Sequence, residues 1–539
     1  MHKISIELIK PFIAFLKNAV TAHTEGRVEA GETWLNAAAH LHATDDDSLI
    51  MLVEALAAQS AVPDALAIAE SWRQLRPRSV AAAYYLGCLF DMSGRQREAL
   101  TAYRHALACS PDYPNLRTNL ASAIHQSGGD LREAIALLED ACKADPQETL
   151  AWSNLCILRF KTFDLDGALI AGKRAVELAP HHAASLYAYA LVLAEARRID
   201  EATAYAVAAC NQAPHDASYR FHLSILRLAQ RDYEQGWPEF ESRWRGAHIS
   251  HGQWPEFPQP RWEGQPLDGK TLLLWGEQGM GDVLQFCRLV PALAQRVHEA
   301  GGRIEWNAFP QMSALLARSL SQHVDGFTIG GGLDDLPHYD YHLPLLSIPL
   351  VTGLRDETIP AAPYLFADAA HSAFWKQRLS HERRFKVGLV WTGSATHSRN
   401  PFRRVGWERY AEYLKNMPGV AFYSLQKGAE ADVRSARAAG LHMEDFTHEL
   451  NSFDDTAAFV GALDLVITVC TSIAHLGGAL GCPTWVLLDV NPYWVWQLDR
   501  ADTPWYSSVR LYRQPQFADW NSVMQDVAAD LLRLTDSHR

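Results

Sequence analysis

Glu98–Pro111 reads EALTAYRHALACSP, Glu133–Pro146 reads EAIALLEDACKADP, Gly167–Pro180 reads GALIAGKRAVELAP and Glu201–Pro214 reads EATAYAVAACNQAP. The same offsets recur in each: Ala99, Ala106, Pro111; Ala134, Ala141, Pro146; Ala168, Ala175, Pro180; Ala202, Ala209, Pro214. The prolines advance by 35, 34 and 34 residues. Small residues at two helix-spaced positions let paired helices pack closely, and a proline where the second helix must stop redirects the chain. The first half is therefore read as a stack of helical hairpins.

This unit is identified as a tetratricopeptide repeat. Leu86-Gly87, Leu120-Ala121 and Leu155-Cys156 fill the leucine-then-small position of the first helix, and Tyr103 and Trp152 fill aromatic positions. Pro77 with Ala65 marks an earlier unit, and a sixth is read near Trp34. The helical pattern runs from about Thr33 to Trp244 and closes on DYEQGWPEFESRW, where aromatics replace the small residues, as befits a terminal repeat that caps a stack. A repeat array holds something, so the chemistry is expected in the second half.

The chain has 539 residues, of which 48% are hydrophobic and 21% charged, the balance of an ordinary water-soluble protein of two or three domains. A net charge of −13 offers no basic face for a phosphate backbone, which argues against a nucleic-acid partner. Eight cysteines are scattered singly without a CxxC pair, the pattern of buried thiols in a reducing compartment. Lys3, Lys10 and Lys17 interrupt the N-terminal stretch, and no uncharged run reaches the roughly 20 apolar residues of a spanning helix. A cytoplasmic location without a membrane span is expected.

GQWPEFPQPRWEGQPLDGK, rich in proline and tryptophan, marks a boundary, and its tryptophans are expected to glue the two halves together. Beyond it, short apolar strands alternate with helices in two series. The first is TLLLW from Thr271, RIEW from Arg303, GFTI from Gly326 and YHLPL from Tyr341. The second is VGLVW from Val387, AFYSL from Ala421, LVITV from Leu465 and TWVLL from Thr484. Alternating strand and helix implies parallel sheets, and two series imply two Rossmann-like lobes facing across a cleft. The expected organisation is repeats with capping helices over 1–245, a linker over 246–268, an N-terminal Rossmann-like lobe over 269–375 and a C-terminal nucleotide-sugar-binding lobe over 376–539.

After the first strand comes GEQGMGDVLQFCRLVPALA, a glycine-rich turn in which Asp282 sits at or next to a helix start. Its default role is an N-cap; at a cleft-facing turn it is also a candidate general base for an acceptor hydroxyl. The second lobe carries polar groups at successive strand ends: Gly393, His397, Arg403 and Arg404 after VGLVW, Gln426-Lys427-Gly428 after AFYSL, and Cys470-Thr471-Ser472 with His475 after LVITV. Each has a bland reading, since Thr471 and Ser472 can cap a helix, Lys427 can be solvated and His475 can be a satisfied core histidine. Together, hydroxyls and N–H groups at a helix N-terminus beside a lysine and arginines describe a pyrophosphate site.

The pattern WGEQGMGDVLQFCRLVPALA, VGLVWTGSATH, FYSLQKG, DLVITVCTSIAHLGGALGCPTWVLL and WYSSVRLYRQP resembles bacterial proteins that join tetratricopeptide repeats to a heptosyltransferase-like domain of the two-lobed glycosyltransferase B fold. The architecture is similar to O-linked N-acetylglucosamine transferase. The resemblance implies an all-α repeat solenoid followed by two Rossmann-like α/β lobes. It implies a base at the Gly281-Asp282 turn, a lysine near the donor phosphates at Lys427 and a donor-meeting helix start at Thr471 with His475; the strand-end reading adds Gly393, Arg403, Gln426 and Ser472 as donor contacts and His397 as the next candidate for a catalytic base. Its co-substrate would be a nucleotide sugar, a uridine diphosphate sugar foremost, with no other cofactor. Asn119 and Asn154, one repeat apart on first helices, resemble rungs of an asparagine ladder that would hold a protein acceptor, flagellin or a surface adhesin being examples. Two positions depart from the pattern: Cys470 stands where an aspartate is usual, and Arg399-Asn400-Pro401 replaces an asparagine-aspartate-arginine run.

The expected function is inverting, metal-independent transfer of a sugar to Ser or Thr of a protein held by the repeats. No paired-carboxylate motif at the polar strand ends demands a metal, because cationic side chains and a helix dipole can neutralise the leaving group. Two other readings stand beside it: a non-catalytic scaffold with a degenerate transferase domain, and a transferase acting on a glycan or lipid.

Overall fold

The computed structural model describes residues 6–247, 256–277, 279–330 and 336–537. The chain divides into two compact units, Met1–Val192 and Leu193–Arg539.

The first unit is built of helical hairpins. Val80–Met92 pairs with Gln96–Cys109, Leu116–Gln126 with Leu131–Ala144, and Thr149–Lys161 with Leu165–Leu178. Ile6–Thr24 with Val28–Leu41 and Asp46–Ala58 with Val62–Leu75 precede them, and Trp34 of the earliest pair stacks on Phe15. Each second helix of the four quoted repeats stops two residues short of its proline, at Cys109, Ala144, Leu178 and Gln212. Ala99, Ala106, Ala134, Ala168 and Ala175 are fully buried, so the repeated alanines are the positions where helices touch. A Cβ on Gly87 would lie 2.6 Å from the Tyr103 ring, which is why a leucine is followed there by a residue with no side chain.

The second unit begins with the end of the repeat series. Helices Ile199–Gln212, Ala217–Ala229, Tyr233–Phe240 and Arg243–Gly246 pack with the α/β half in one unit. The aromatic closing segment explains this: Trp237 packs against Trp494 at 5.2 Å between ring centroids, and its indole Nε1 donates to the Leu354 carbonyl at 3.0 Å. Trp262, the described tryptophan of the expected linker, is buried and its backbone N–H donates to the His342 carbonyl at 2.8 Å. Trp254 lies outside the described residues.

Two all-parallel sheets follow. In the first, β1 (Thr271–Trp275), β2 (Arg303–Ala308), β3 (Gly326–Ile329) and β4 (Tyr341–Pro344) lie in the order β3-β2-β1-β4. The second holds β5 (Phe385–Val390), β6 (Val420–Ser424), β7 (Met443–Asp445), β8 (Leu465–Val469), β9 (Thr484–Leu488) and β10 (Val509–Arg513) in the order β10-β9-β8-β5-β6-β7. The eight strands expected from the apolar runs are all present, and β7 and β10 are additions at the two edges. The helix Ala369–Arg378 runs across residue 375, and its Trp375 packs on Phe446 and Phe459 of the second sheet's helical layer. The lobes are joined by direct bonds: Phe453 N–H donates to the Gln311 carbonyl at 3.0 Å, and Arg318 donates to Asp454 at 2.8 Å. The fold is thus a tetratricopeptide-repeat array continued by two Rossmann-like lobes.

Candidate active site

In the second sheet the chain runs outward from β5 to β7 on one side and from β8 to β10 on the other, so the strand order reverses between β5 and β8. Crevices form at such a switch point, where the loops after neighbouring strands part in opposite directions. A cavity of about 310 Å³ opens there. Thr392, Gly393 and Ser394 line it from the loop after β5, Gln426 and Lys427 from the loop after β6, and Thr471 and Ser472 from the turn after β8. Asn451 and Ser452 add polar groups, while Met280 and Gln311 reach it from the first lobe.

Five of the expected donor residues, Gly393, Gln426, Lys427, Thr471 and Ser472, are brought together in this wall. Thr471 caps the helix Ser472–Leu480, its hydroxyl accepting from Ile473 N–H at 3.3 Å, so capping and cavity lining are one arrangement. The helix start directs its positive dipole end at the crevice. Gln426 Oε1 accepts from Thr392 N–H at 3.2 Å and ties the first two loops together. The Lys427 ammonium donates to the Leu450 carbonyl at 2.6 Å, which holds this exposed side chain at the rim. Arg403 lies behind Gly393: a Cβ there would meet the guanidinium at 2.3 Å. Its Nη1 donates to the Cys470 carbonyl at 3.0 Å, so it braces the loop after β8 from outside the lining set.

His475 and His397 lie outside that lining set. His475 is buried; its Nδ1 is 2.9 Å from the Tyr506 hydroxyl and its ring stacks on Trp496 at 5.1 Å. Burial, reinforced by Arg288, pushes its pKa down to about 3, and the ring is neutral. These contacts are those of a satisfied core histidine. His397 accepts from Arg399 N–H through Nδ1 at 3.2 Å, and burial with Arg403 and Arg399 nearby pushes its pKa down to about 4. A nitrogen so engaged and so weakly basic suits a structural acceptor better than a general base.

Asp282 is the third residue of the helix Met280–Phe286, and the N-cap is Gly279. Asp282 Oδ2 accepts from Gly279 N–H at 3.3 Å, half of a capping box. The side chain is half-buried, and loss of water pushes its pKa up to about 7, against the opposing pull of the Gly279 N–H and Arg243. Asp282 also lies outside the lining set, two residues along from Met280, which is in it. Gly281 lies close against the second lobe: a Cβ there would lie 3.4 Å from both the His475 ring and the Ser472 backbone.

The support of this turn was not legible in the sequence. Fully buried Arg243, from the last repeat helix, donates to Glu277 Oε1 at 2.6 Å and Oε2 at 3.1 Å, and to Ser347 Oγ at 2.7 Å. Glu277 in turn accepts from Leu346 N–H at 3.2 Å, so the glycine turn is pinned on both sides. At the position of the missing aspartate, Cys470 Sγ accepts from Trp496 Nε1 at 3.1 Å, and burial raises the thiol pKa.

In the first unit the asparagine pair differs from a ladder. Asn119 donates its amide to the Tyr84 hydroxyl at 2.9 Å and to Cys88 Sγ at 3.6 Å, toward the neighbouring repeat, so its donors are spent inside the array. Asn154 is half-buried on the next first helix, Thr149–Lys161. All eight cysteines are free thiols; Cys142, Cys156 and Cys287 are buried and Cys109 is exposed. Among the described residues no group of three His, Cys, Asp or Glu side chains is arranged to hold a metal, and no helix is long and apolar enough to cross a membrane.

No protein-family model matches the chain. The protein FlbA of Caulobacter vibrioides is 27% identical over 454 residues, covering 80% of this chain and 74% of that protein. Among solved structures, Escherichia coli ADP-heptose lipopolysaccharide heptosyltransferase II matches 50% of this chain and 99% of its own at 16% identity and a TM-score of 0.37. The Pseudomonas aeruginosa protein PilF matches 37% of this chain and 90% of its own at 17% identity and a TM-score of 0.33. A thermophilic tetratricopeptide-repeat protein of Thermus thermophilus matches 34% of this chain and 100% of its own at 23% identity and a TM-score of 0.30.

Proposed function

We propose that this chain is a glycosyltransferase whose second sheet binds the nucleoside diphosphate of a nucleotide sugar. The observation that carries the reading is the convergence at one switch point of Lys427, the hydroxyls of Thr471 and Ser472 and a helix N-terminus, with Asp282 two residues along from Met280, which lines the same cavity from the other lobe. Phosphate needs donors and positive charge; an acceptor hydroxyl needs a base ionised near neutral pH. The step is an in-line displacement. Asp282 takes the acceptor proton as the acceptor oxygen bonds to the anomeric carbon, and the anomeric C–O bond to phosphate breaks with inversion. The nucleoside diphosphate leaves with the electron pair, its charge met by Lys427 and the helix dipole. Arg403 acts by bracing the loop after β8. The acceptor is proposed to be Ser or Thr of a protein brought by the repeats, and the free thiols fit a reducing cytoplasmic setting. The inward-directed donors of Asn119 favour, as a second reading, a glycan or lipid acceptor with the repeats engaging a different partner.

The test is incubation of the full chain with uridine, guanosine, adenosine and cytidine diphosphate sugars, measuring release of nucleoside diphosphate with and without Ser/Thr peptides. Release from one donor class, accelerated by peptide, supports the protein-acceptor reading. Release that peptide does not accelerate favours the second reading, and no release from any donor returns the chain to the scaffold class.

A further inference from the structure

The loop between β5 and the helix Trp407–Leu414 serves two structures at once. On its cavity side, Asn400 Oδ1 accepts from Gly393 N–H at 2.9 Å and Asn400 Nδ2 donates to Thr392 Oγ1 at 3.1 Å, fixing two residues of the cavity wall. One residue earlier, Arg399 turns the other way. Its guanidinium is paired with the carboxylate of Glu195, the last residue of the helix Ala183–Glu195, and donates to Asp489 Oδ2 at 2.8 Å and to the Asn491 carbonyl at 2.9 Å. Asn491 closes the ring by donating from Nδ2 to Glu195 Oε1 at 2.8 Å. Glu195 is 2% and Asp489 4% exposed, so this cation sits between two carboxylates that water does not reach.

A half-buried guanidinium held by three partners cannot move without stranding two buried carboxylates, and breaking such a pair from one side is unfavourable. Arg399 and Asn400 are consecutive on one short turn, Arg399 being the N-cap of the helix Asn400–Arg403. The position of the cavity wall is therefore fixed by a contact made away from the cavity. We propose that Arg399 is a positioning residue for the donor pocket: by locking its loop to Glu195, Asp489 and Asn491, it holds Thr392 and Gly393 ready for the nucleoside diphosphate. This rests on the reading of the cavity as a nucleoside-diphosphate site. It also means that a residue at the end of a repeat helix, Glu195, sets the affinity of a pocket whose lining does not include it.

The experiment is calorimetric titration of the full chain with uridine, guanosine, adenosine and cytidine diphosphates, first wild type, then Glu195→Gln, Arg399→Lys and Arg399→Met. Glu195→Gln keeps the volume and one acceptor oxygen but removes the charge and one acceptor of the lock, a milder change for folding than Arg399→Met. Once the loop is unlocked the nucleotide must re-order it, and fixing even one residue costs roughly a factor of ten in affinity. The expected result is a Kd raised roughly tenfold in Glu195→Gln and Arg399→Met, with partial recovery in Arg399→Lys, and a donor KM that rises by more than kcat falls. A merely structural role would lower Tm while leaving Kd unchanged. Wild-type Kd in folded Glu195→Gln overturns the proposal. Failure of the wild type to bind any of the four overturns the pocket reading, and the proposal with it, a result distinct from loss in the variants alone.

Discussion

Asp282→Asn separates the chemistry of the turn from its architecture. The amide oxygen can still accept from Gly279 N–H, so the helix start is kept while basicity is lost. With a pKa pushed up to about 7 by burial, the carboxyl is about one tenth ionised at pH 6 and about nine tenths at pH 8. Because a base acts only when ionised, wild-type donor hydrolysis should rise roughly tenfold across that interval, where a carboxylate of ordinary pKa would give a flat profile. The variant should lose about 10²–10⁴-fold in rate and all of this pH dependence, with nucleotide affinity unchanged. Stability gives a second readout of opposite sign. A carboxyl whose folded pKa is raised contributes favourably at low pH and loses that contribution as pH rises from the unfolded value through the folded one. The Tm of Asp282→Asn relative to wild type should therefore climb from about pH 4 to about pH 7 and then level off. The assay is release of nucleoside diphosphate from a sugar nucleotide across this range, paired with thermal melts. A variant that hydrolyses donor at nearly the wild-type rate, or a flat wild-type profile, would refute the base assignment.

Lys427→Ala removes a charge-assisted contact at the rim of the cavity and should weaken nucleoside diphosphate binding by about 1.5–3 kcal/mol; calorimetry with an unchanged Kd would remove Lys427 from the site. Arg243→Met strands Glu277 without its cation, so unfolding by denaturant should show a loss of about 3–5 kcal/mol. Its donor hydrolysis should fall as well, because the turn carrying Asp282 is no longer pinned; an unchanged unfolding midpoint would contradict this. Asn119→Ala with Asn154→Ala should slow transfer to a protein acceptor while leaving donor hydrolysis intact, if the repeats grip the acceptor backbone. Equal transfer by the double variant would assign these amides to internal packing, where Tyr84 and Cys88 already hold Asn119.

The repeats and eight of the strands were legible because each leaves a local signature: alanines and prolines at fixed offsets, or a short apolar stretch, buried throughout in β6, β8 and β9. The strands β7 and β10 left none. Met443-Glu444-Asp445 and Val509–Arg513 are edge strands with charged residues, where one side needs no partner strand and no apolar run is required. That five of the expected residues would share one cavity wall was legible because the ends of successive parallel strands meet in space. What decides the remaining roles is distant in sequence. Tyr506 and Trp496 make His475 a core residue; Arg243 and Glu277 meet across 34 positions, and Arg399 and Glu195 across 204. No local period announces such pairs, so the support of the glycine turn and the locking of the loop after β5 became visible only in the folded chain.

The central claim, that the crevice between β5 and β8 holds a nucleoside diphosphate, is tested most directly by nucleotide-dependent stabilisation of the full chain. At 100 times its Kd, a ligand that binds only the folded state adds roughly 2.7 kcal/mol, a clear rise in Tm. The account predicts that one of the uridine, guanosine, adenosine and cytidine diphosphates, uridine diphosphate foremost, gives this rise in the wild type and a smaller one in Lys427→Ala at the same concentration. A folded wild-type protein whose Tm none of the four moves, even at millimolar concentration, would contradict it.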